Sequence, residues 1–116
     1  MAGTPRTVKA AKRRELAGTV VVSEYFRMGL TREQAAERMH LSPAALDGVR
    51  DGDCRISPTK LRRIEGVLDL PGDLLTYVIE GDTARIDTIG ETEMRPGLRR
   101  VIVTRLERID AEDFGS

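Results

Sequence analysis

The stretch Leu30–Gly52, LTREQAAERMHLSPAALDGVRDG, encodes two short helices and the tight turn between them. Thr31 is a favourable N-cap for the first helix, and Gln34, three residues later, completes a capping box. Ser42 is placed to cap a second helix, with a proline directly after it, where the missing amide hydrogen has no helical partner to lose. Gly52 ends the second helix, because glycine accepts the left-handed backbone of a C-terminal cap. The stretch therefore predicts a helix-turn-helix.

Apolar side chains at helical spacing indicate which faces of these helices are buried. Ala36 is small enough to let two helices joined by so few residues cross closely. After Gly52, Ser57-Pro58 repeats the cap-plus-proline start, and an apolar stripe follows it. The core predicted from these stripes comprises Ala36, Met39, Leu46, Val49, Leu61, Ile64 and Leu68.

This pattern resembles the Cro and phage-repressor family of DNA-binding domains, also called the xenobiotic-response-element family. The shared positions are Leu30-Thr31, Ala36, Ser42, Gly52, Ser57-Pro58 and the Leu-x-x-Ile of Leu61 and Ile64. The resemblance implies an all-α, lambda-repressor-like helix-turn-helix domain of five helices over residues 11–80. It also implies a DNA-binding transcriptional regulator, a bacterial or phage-type repressor that places helix 42–51 in the major groove.

The resemblance implies that residues at the start of the second helix, and one turn later, meet the DNA bases. These are Ser42, Pro43, Ala44, Asp47 and Gly48. Ser42 can bond a phosphate or a base, and Ala44 can touch a thymine methyl group. The four residues after Ser42 cannot make the bidentate hydrogen bonds by which Arg, Asn or Gln recognises a base edge. Asp47 would repel phosphate unless it accepts from a cytosine amine. His40 also replaces the glycine usual in the turn.

Three arginines are candidates for phosphate contact. Arg32 and Arg55 match family positions that contact the DNA backbone, and Arg50, where the family usually has an acidic residue, can join them. Phosphate contacts position a protein on DNA without selecting sequence. The alternative for each arginine is an ordinary hydrated side chain.

Charge is unevenly distributed along the chain although the net charge is zero. Residues 1–28 carry six basic and two acidic residues, and residues 69–116 carry six basic and eleven acidic residues. Residues 1–10 are interpreted as a basic arm that adds phosphate contacts, with a frayed solvated tail as the alternative. The basic residues at this end are Arg6, Lys9, Lys12, Arg13 and Arg14.

The segments that flank the helix-turn-helix are interpreted as a helix, a linker and a tail. A first helix is expected over Ala11–Arg27, with Leu16, Val20 and Phe26 facing the core, although Thr19–Val22 is a β-branched run of weak helix propensity. Residues 81–95 are interpreted as a linker around a short turn and residues 111–116 as a loose acidic tail.

Residues 96–110 predict an amphipathic C-terminal helix. Its apolar stripe either packs on its own domain or meets a second copy, and we expect the homodimer because such regulators grip paired half-sites. The stripe consists of Leu98, Val101, Ile102, Leu106 and Ile109.

Composition favours one small helical domain. The 116 residues are 40% hydrophobic but only 3% aromatic, which allows a single aliphatic core. Cys54 is the only cysteine, and no apolar run is long enough for a membrane span or a signal peptide, so we expect a cytoplasmic protein. His40 and Cys54 alone cannot form a zinc site, and no nucleophilic triad or phosphate-binding glycine loop occurs. We expect no enzyme, no metal and no cofactor.

Two classes of function remain open. The first is a regulator whose partner is double-stranded DNA. The second is a protein-interaction module, or an antitoxin-like regulator, that keeps the same scaffold and binds another protein. The weak set of base-reading side chains favours the second class, whereas the basic arm and the arginines favour the first.

Overall fold

The computed structural model describes residues 5–52 and 56–112, with side chains from Val8 onward. Within these residues the chain forms seven α-helices and no β-strand, which confirms the all-α prediction. The helices are α1 (Pro5–Arg27), α2 (Arg32–Arg38), α3 (Pro43–Asp51), α4 (Pro58–Leu68), α5 (Leu74–Glu80), α6 (Thr83–Asp87) and α7 (Leu98–Glu112). The short helix α6 lies inside the segment predicted to be a linker.

The long helix α1 runs through the centre of the molecule and contacts α3, α4, α5 and α7. The β-branched residues 19–22 are helical because burial against these neighbours outweighs their weak propensity. The prediction that Phe26 faces the core is wrong, since it is 65% exposed. Tyr25 is buried instead, because it continues the i, i+4 spacing of Ala17 and Val21.

The start of α1 also differs from its predicted position. The helix begins at Pro5 rather than at Ala11, so residues 5–10 belong to α1 and do not form a separate arm. At the other end of the chain, α7 begins at Leu98 and continues to Glu112. Residues 113–116 of the predicted acidic tail lie outside the described residues.

The predicted caps are present around α2 and α3. The Thr31 hydroxyl accepts from the Gln34 amide at 3.1 Å, and the Gln34 side chain accepts from the Thr31 amide at 2.9 Å. Ser42 accepts from the Ala45 amide at 3.1 Å. Gly52 ends α3 with a left-handed φ of 73°. All seven predicted core residues are at most 8% exposed.

Two positions in this region explain how closely the helices approach. His40, in the turn, has a left-handed φ of 57°, a conformation in which glycine carries no steric penalty. Gly18 of α1 faces the backbone of α3, where a β-carbon would lie 2.3 Å from the carbonyl oxygen of Val49 and 2.5 Å from that of Arg50. The crossing of α1 and α3 therefore requires glycine at position 18.

A buried carboxylate joins α4 to α5. Glu65 is 2% exposed and accepts hydrogen bonds from the backbone amides of Asp73 at 2.9 Å and Leu75 at 2.8 Å. These amides lie at the start of α5, whose own N-cap residue makes no side-chain cap. Burial raises the pKa of the Glu65 carboxyl, although the two backbone donors oppose that shift.

The C-terminal helix α7 packs on its own domain. Leu98, Ile102 and Leu106 are at most 3% exposed, and α7 contacts α1 and α6. Of the two alternatives left open by the sequence, the structure therefore has the intramolecular one. The buried residues Leu98, Ile102 and Leu106 are therefore not available for a homodimer interface, whereas Val101 of the same predicted stripe is 54% exposed, and the homodimer stays a prediction.

Charged contacts show that α7 runs antiparallel to α1. Arg95, just before α7, donates to the buried carboxylate of Glu24 at 3.0 Å, near the end of α1. Glu112, at the end of α7, pairs with Lys12 at 2.5 Å, near the start of α1.

Among the described helices, none combines the length and the apolar character needed to cross a membrane.

Candidate functional site

The residues that the sequence predicts to meet bases lie together at the start of α3. Ser42 and Ala44 are exposed, and the remaining three are half-buried. The other side of α3 enters the core through Leu46 and Val49. The structure thus brings the predicted reading residues onto one surface, here called the α3 face and defined as Ser42, Pro43, Ala44, Asp47 and Gly48.

Arg32, a predicted phosphate contact, is bound to the α3 face. Its Nε donates to Asp47 Oδ1 at 2.7 Å and its Nη2 donates to Asp47 Oδ2 at 2.8 Å. This bidentate geometry braces α2 against α3 and holds the pKa of the Asp47 carboxyl below its ordinary value. Nη1 of Arg32 donates to the exposed Glu33 at 2.6 Å.

Arg50 is paired in a similar way at the other end of α3. Its Nε and Nη2 donate to the two carboxylate oxygens of Asp51 at 2.9 and 3.1 Å. Its Nη1 lies 3.5 Å from Asp47 Oδ1. The guanidinium of Arg50 lowers the pKa of the Asp51 carboxyl through these hydrogen bonds.

The balance of charge around the α3 face is slightly acidic. Over residues 31–52 the chain has three arginines and four carboxylates, which gives a net charge of −1. Arg32 and Arg50 together pair with three of those carboxylates, and both contact Asp47. A bound phosphate would therefore have to compete with carboxylates already in place.

The basic residues between Lys9 and Arg14, near the start of α1, are also engaged within the chain. Arg14 Nε donates to the carbonyl oxygen of Gly52 at 3.1 Å, and Arg13 donates to that of Glu80 at 3.4 Å. Both arginines thus stabilise helix C-termini, where orphan carbonyls and the helix dipole favour a cation. Lys9 lies 3.7 Å from Asp110 of α7. Neither of the alternatives proposed for residues 1–10, a basic arm or a frayed tail, describes Lys9, which lies in α1, whereas residues 11–14 are helical as predicted.

Three other cations, on α2 and α4, were missed by the sequence analysis. Arg38, Lys60 and Arg63 are exposed, and within residues 5–52 and 56–112 their side chains form no hydrogen bond or ion pair. Lys60 and Arg63 are three residues apart on α4, so they share one surface of that helix. The sequence could have identified these two residues as exposed, because they lie off the apolar stripe of α4. The predicted phosphate contact Arg55, like Cys54, lies outside the described residues.

Comparison with known proteins identifies no relative of this chain. No protein-family model, no curated protein and no solved structure matches it. The function is therefore inferred from the chemistry and geometry of its own side chains.

Proposed function

We propose that the chain is a DNA-binding transcriptional regulator with a lambda-repressor-like helix-turn-helix, in which α3 enters the major groove. The observation that supports this proposal is the α3 face. It carries only short side chains on its exposed surface, while Leu46 and Val49 anchor the opposite side of the helix in the core. A helix with such a surface can lie close to base edges in a groove about 12 Å wide.

Phosphate contacts come from cations on α2 and α4. Lys60 and Arg63 on α4, and Arg38 on α2, are exposed, and their side chains are engaged by no group of the described residues. Arg32 can add a further contact, because a phosphate oxygen can take the place of the exposed Glu33 while Asp47 stays bound. Exposed ion pairs are weak, and each phosphate contact releases counterions, so this exchange is favourable at low salt.

A titration with random double-stranded DNA at two salt concentrations tests the proposal. Each phosphate that the protein neutralises steepens the dependence of log affinity on log salt by about 0.9. We expect binding at low salt with a slope of about 3.6, about 0.9 for each of Arg38, Lys60, Arg63 and Arg32. Absence of binding at about 20 mM salt, where phosphate contacts contribute more affinity than at physiological salt, would overturn the proposal.

Two variants assign the contact to Arg32. Arg32→Ala should weaken binding to all duplexes alike and reduce the salt slope by about one unit. Glu33→Gln should tighten binding at low salt, because it removes the carboxylate that competes with phosphate for Nη1. Glu107→Gln is the matched control, since it removes the same charge from an exposed position on α7. Equal effects of Glu33→Gln and Glu107→Gln would leave only a net-charge effect and refute the assignment.

A second candidate function is binding of another protein through the same scaffold. It is favoured by the acidic balance of residues 31–52 and by Phe26, which is 65% exposed at the end of α1. Exposed aromatic side chains are frequent anchors of protein interfaces. A chain that is folded and fails to bind duplex DNA at low salt would favour this candidate.

A further inference from the structure

A cleft with apolar walls lies between α1, α3, α4 and α5. Its volume is about 260 Å³. Side chains from all four helices form its walls, among them Ala17, Val21, Val49, Leu61, Leu75 and Ile79. An apolar cavity of about 150 Å³ is large enough to hold benzene. The cleft therefore has room for one aromatic or branched aliphatic group together with a small polar group.

Two opposite charges also line this cleft, and they do not pair with each other. Arg14, on α1, donates through Nε to the carbonyl oxygen of Gly52 at 3.1 Å, and its two Nη nitrogens make no further hydrogen bond with the described part of the chain. Glu80, at the end of α5, is exposed, and its carboxylate has no hydrogen bond or ion pair among the described residues. Thr76, one turn before Glu80, lines the cleft as well, so both lie on the face of α5 that borders it. The cleft thus offers one group that can bind an anion and one that can bind a cation.

We propose that this cleft binds an apolar α-amino acid. The side chain of the ligand lies between the helices, its carboxylate accepts from the Nη nitrogens of Arg14, and its ammonium group donates to Glu80. A guanidinium binds a carboxylate through charge-assisted hydrogen bonds, and burial of the apolar side chain supplies the remaining affinity. Val49, in one wall, belongs to α3, so the ligand contacts the helix proposed to enter the major groove. Binding at this cleft does not itself require DNA.

Isothermal titration calorimetry with related ligands tests the proposal. L-phenylalanine is compared with 2-phenylethylamine, which lacks the carboxylate, with 3-phenylpropionate, which lacks the ammonium group, and with glycine, which lacks the apolar side chain. We expect phenylalanine to bind about tenfold more tightly than 2-phenylethylamine, because the carboxylate makes charge-assisted hydrogen bonds. Its advantage over 3-phenylpropionate should be about fivefold or less, because Glu80 is exposed and exposed ion pairs contribute little. Glycine should bind most weakly of the four.

Charge variants assign the two ends of the ligand. Glu80→Gln should weaken phenylalanine and leave 3-phenylpropionate unchanged, whereas Arg14→Gln should weaken both and leave 2-phenylethylamine unchanged. Glu37→Gln and Arg100→Gln are the matched controls, since they remove the same charges from exposed positions on α2 and α7. If each variant changes phenylalanine affinity no more than its control does, only a net-charge effect is present and the assignment is wrong.

A variant that fills the cleft tests the location of the site. Ala17→Leu adds three carbons to a wall of the cleft and should abolish phenylalanine binding, whereas Ala84→Leu, on the exposed surface of α6, should leave it unchanged. Circular dichroism of each variant confirms that it is folded. Wild-type affinity in a folded Ala17→Leu protein would place the ligand elsewhere and overturn the proposal, as would absence of binding by both L-phenylalanine and L-leucine at about 10 mM. Because no DNA is present in these titrations, their failure leaves the proposed DNA-binding function standing.

Discussion

Gly18→Ala should destabilise the protein, because the α1–α3 crossing has no room for a β-carbon. The added carbon would lie 2.3 Å from the carbonyl oxygen of Val49 and 2.5 Å from that of Arg50, whereas ordinary contacts begin at 3.4 Å. Both neighbours are backbone atoms, so no side chain can rotate away and α3 must move by about 1 Å. Overpacking of this kind costs about 1–3 kcal/mol, and the better helix propensity of alanine offsets up to about 1 kcal/mol of it.

Thermal unfolding followed by circular dichroism measures the effect, and Gly66→Ala is the matched control. Gly66 lies in the exposed interior of α4, and a β-carbon there would have no neighbour within 4 Å. Gly66→Ala should therefore raise the midpoint temperature, by the equivalent of about 0.5–1 kcal/mol, while Gly18→Ala lowers it. If Gly18→Ala raises the midpoint as Gly66→Ala does, α1 and α3 do not cross in this way.

Three further predictions concern the core and its buried charges. Ile102→Ala should lower the free energy of unfolding by about 2–5 kcal/mol in urea titrations, whereas Val101→Ala, on the exposed side of α7, should change it by less than about 0.5 kcal/mol; equal small effects would mean that α7 does not pack on its own domain. Glu24→Gln should destabilise by about 1–3 kcal/mol because Glu24 is buried against Arg95, while Glu91→Gln, at an 88% exposed side chain, should leave the midpoint unchanged; identical midpoints for the two variants would count against the buried pair. The pKa of Glu65 is raised in the folded state, so the folded state holds the carboxyl proton more tightly than the unfolded chain does. The contribution of Glu65 to stability should therefore be greatest below about pH 4.3 and fall as the pH rises through the folded pKa. An advantage of the wild type over Glu65→Gln that grows with pH across this range would contradict that direction.

The sequence by itself determined the local structure of α2, α3 and α4. Caps such as Thr31, Ser42 and Gly52 act on amides and carbonyls within a few residues, so the residue type alone specifies where a helix begins or ends. The core residues on these helices were predictable for the same reason, because helical periodicity places them on one face. The candidate residues of the α3 face also came from this register.

Only the tertiary structure decided which surfaces are used and which charges are available. The apolar stripe that contains Ile102 could pack on a second copy or on its own domain, because no local sequence pattern distinguishes two apolar partners. The structure shows that α7 packs on α1 of the same chain. Arg32 has the appearance of a phosphate contact in the sequence, yet its partner Asp47 lies fifteen residues away on another helix. Long-range contacts of this kind depend on how the helices pack, and local residue patterns carry little information about them.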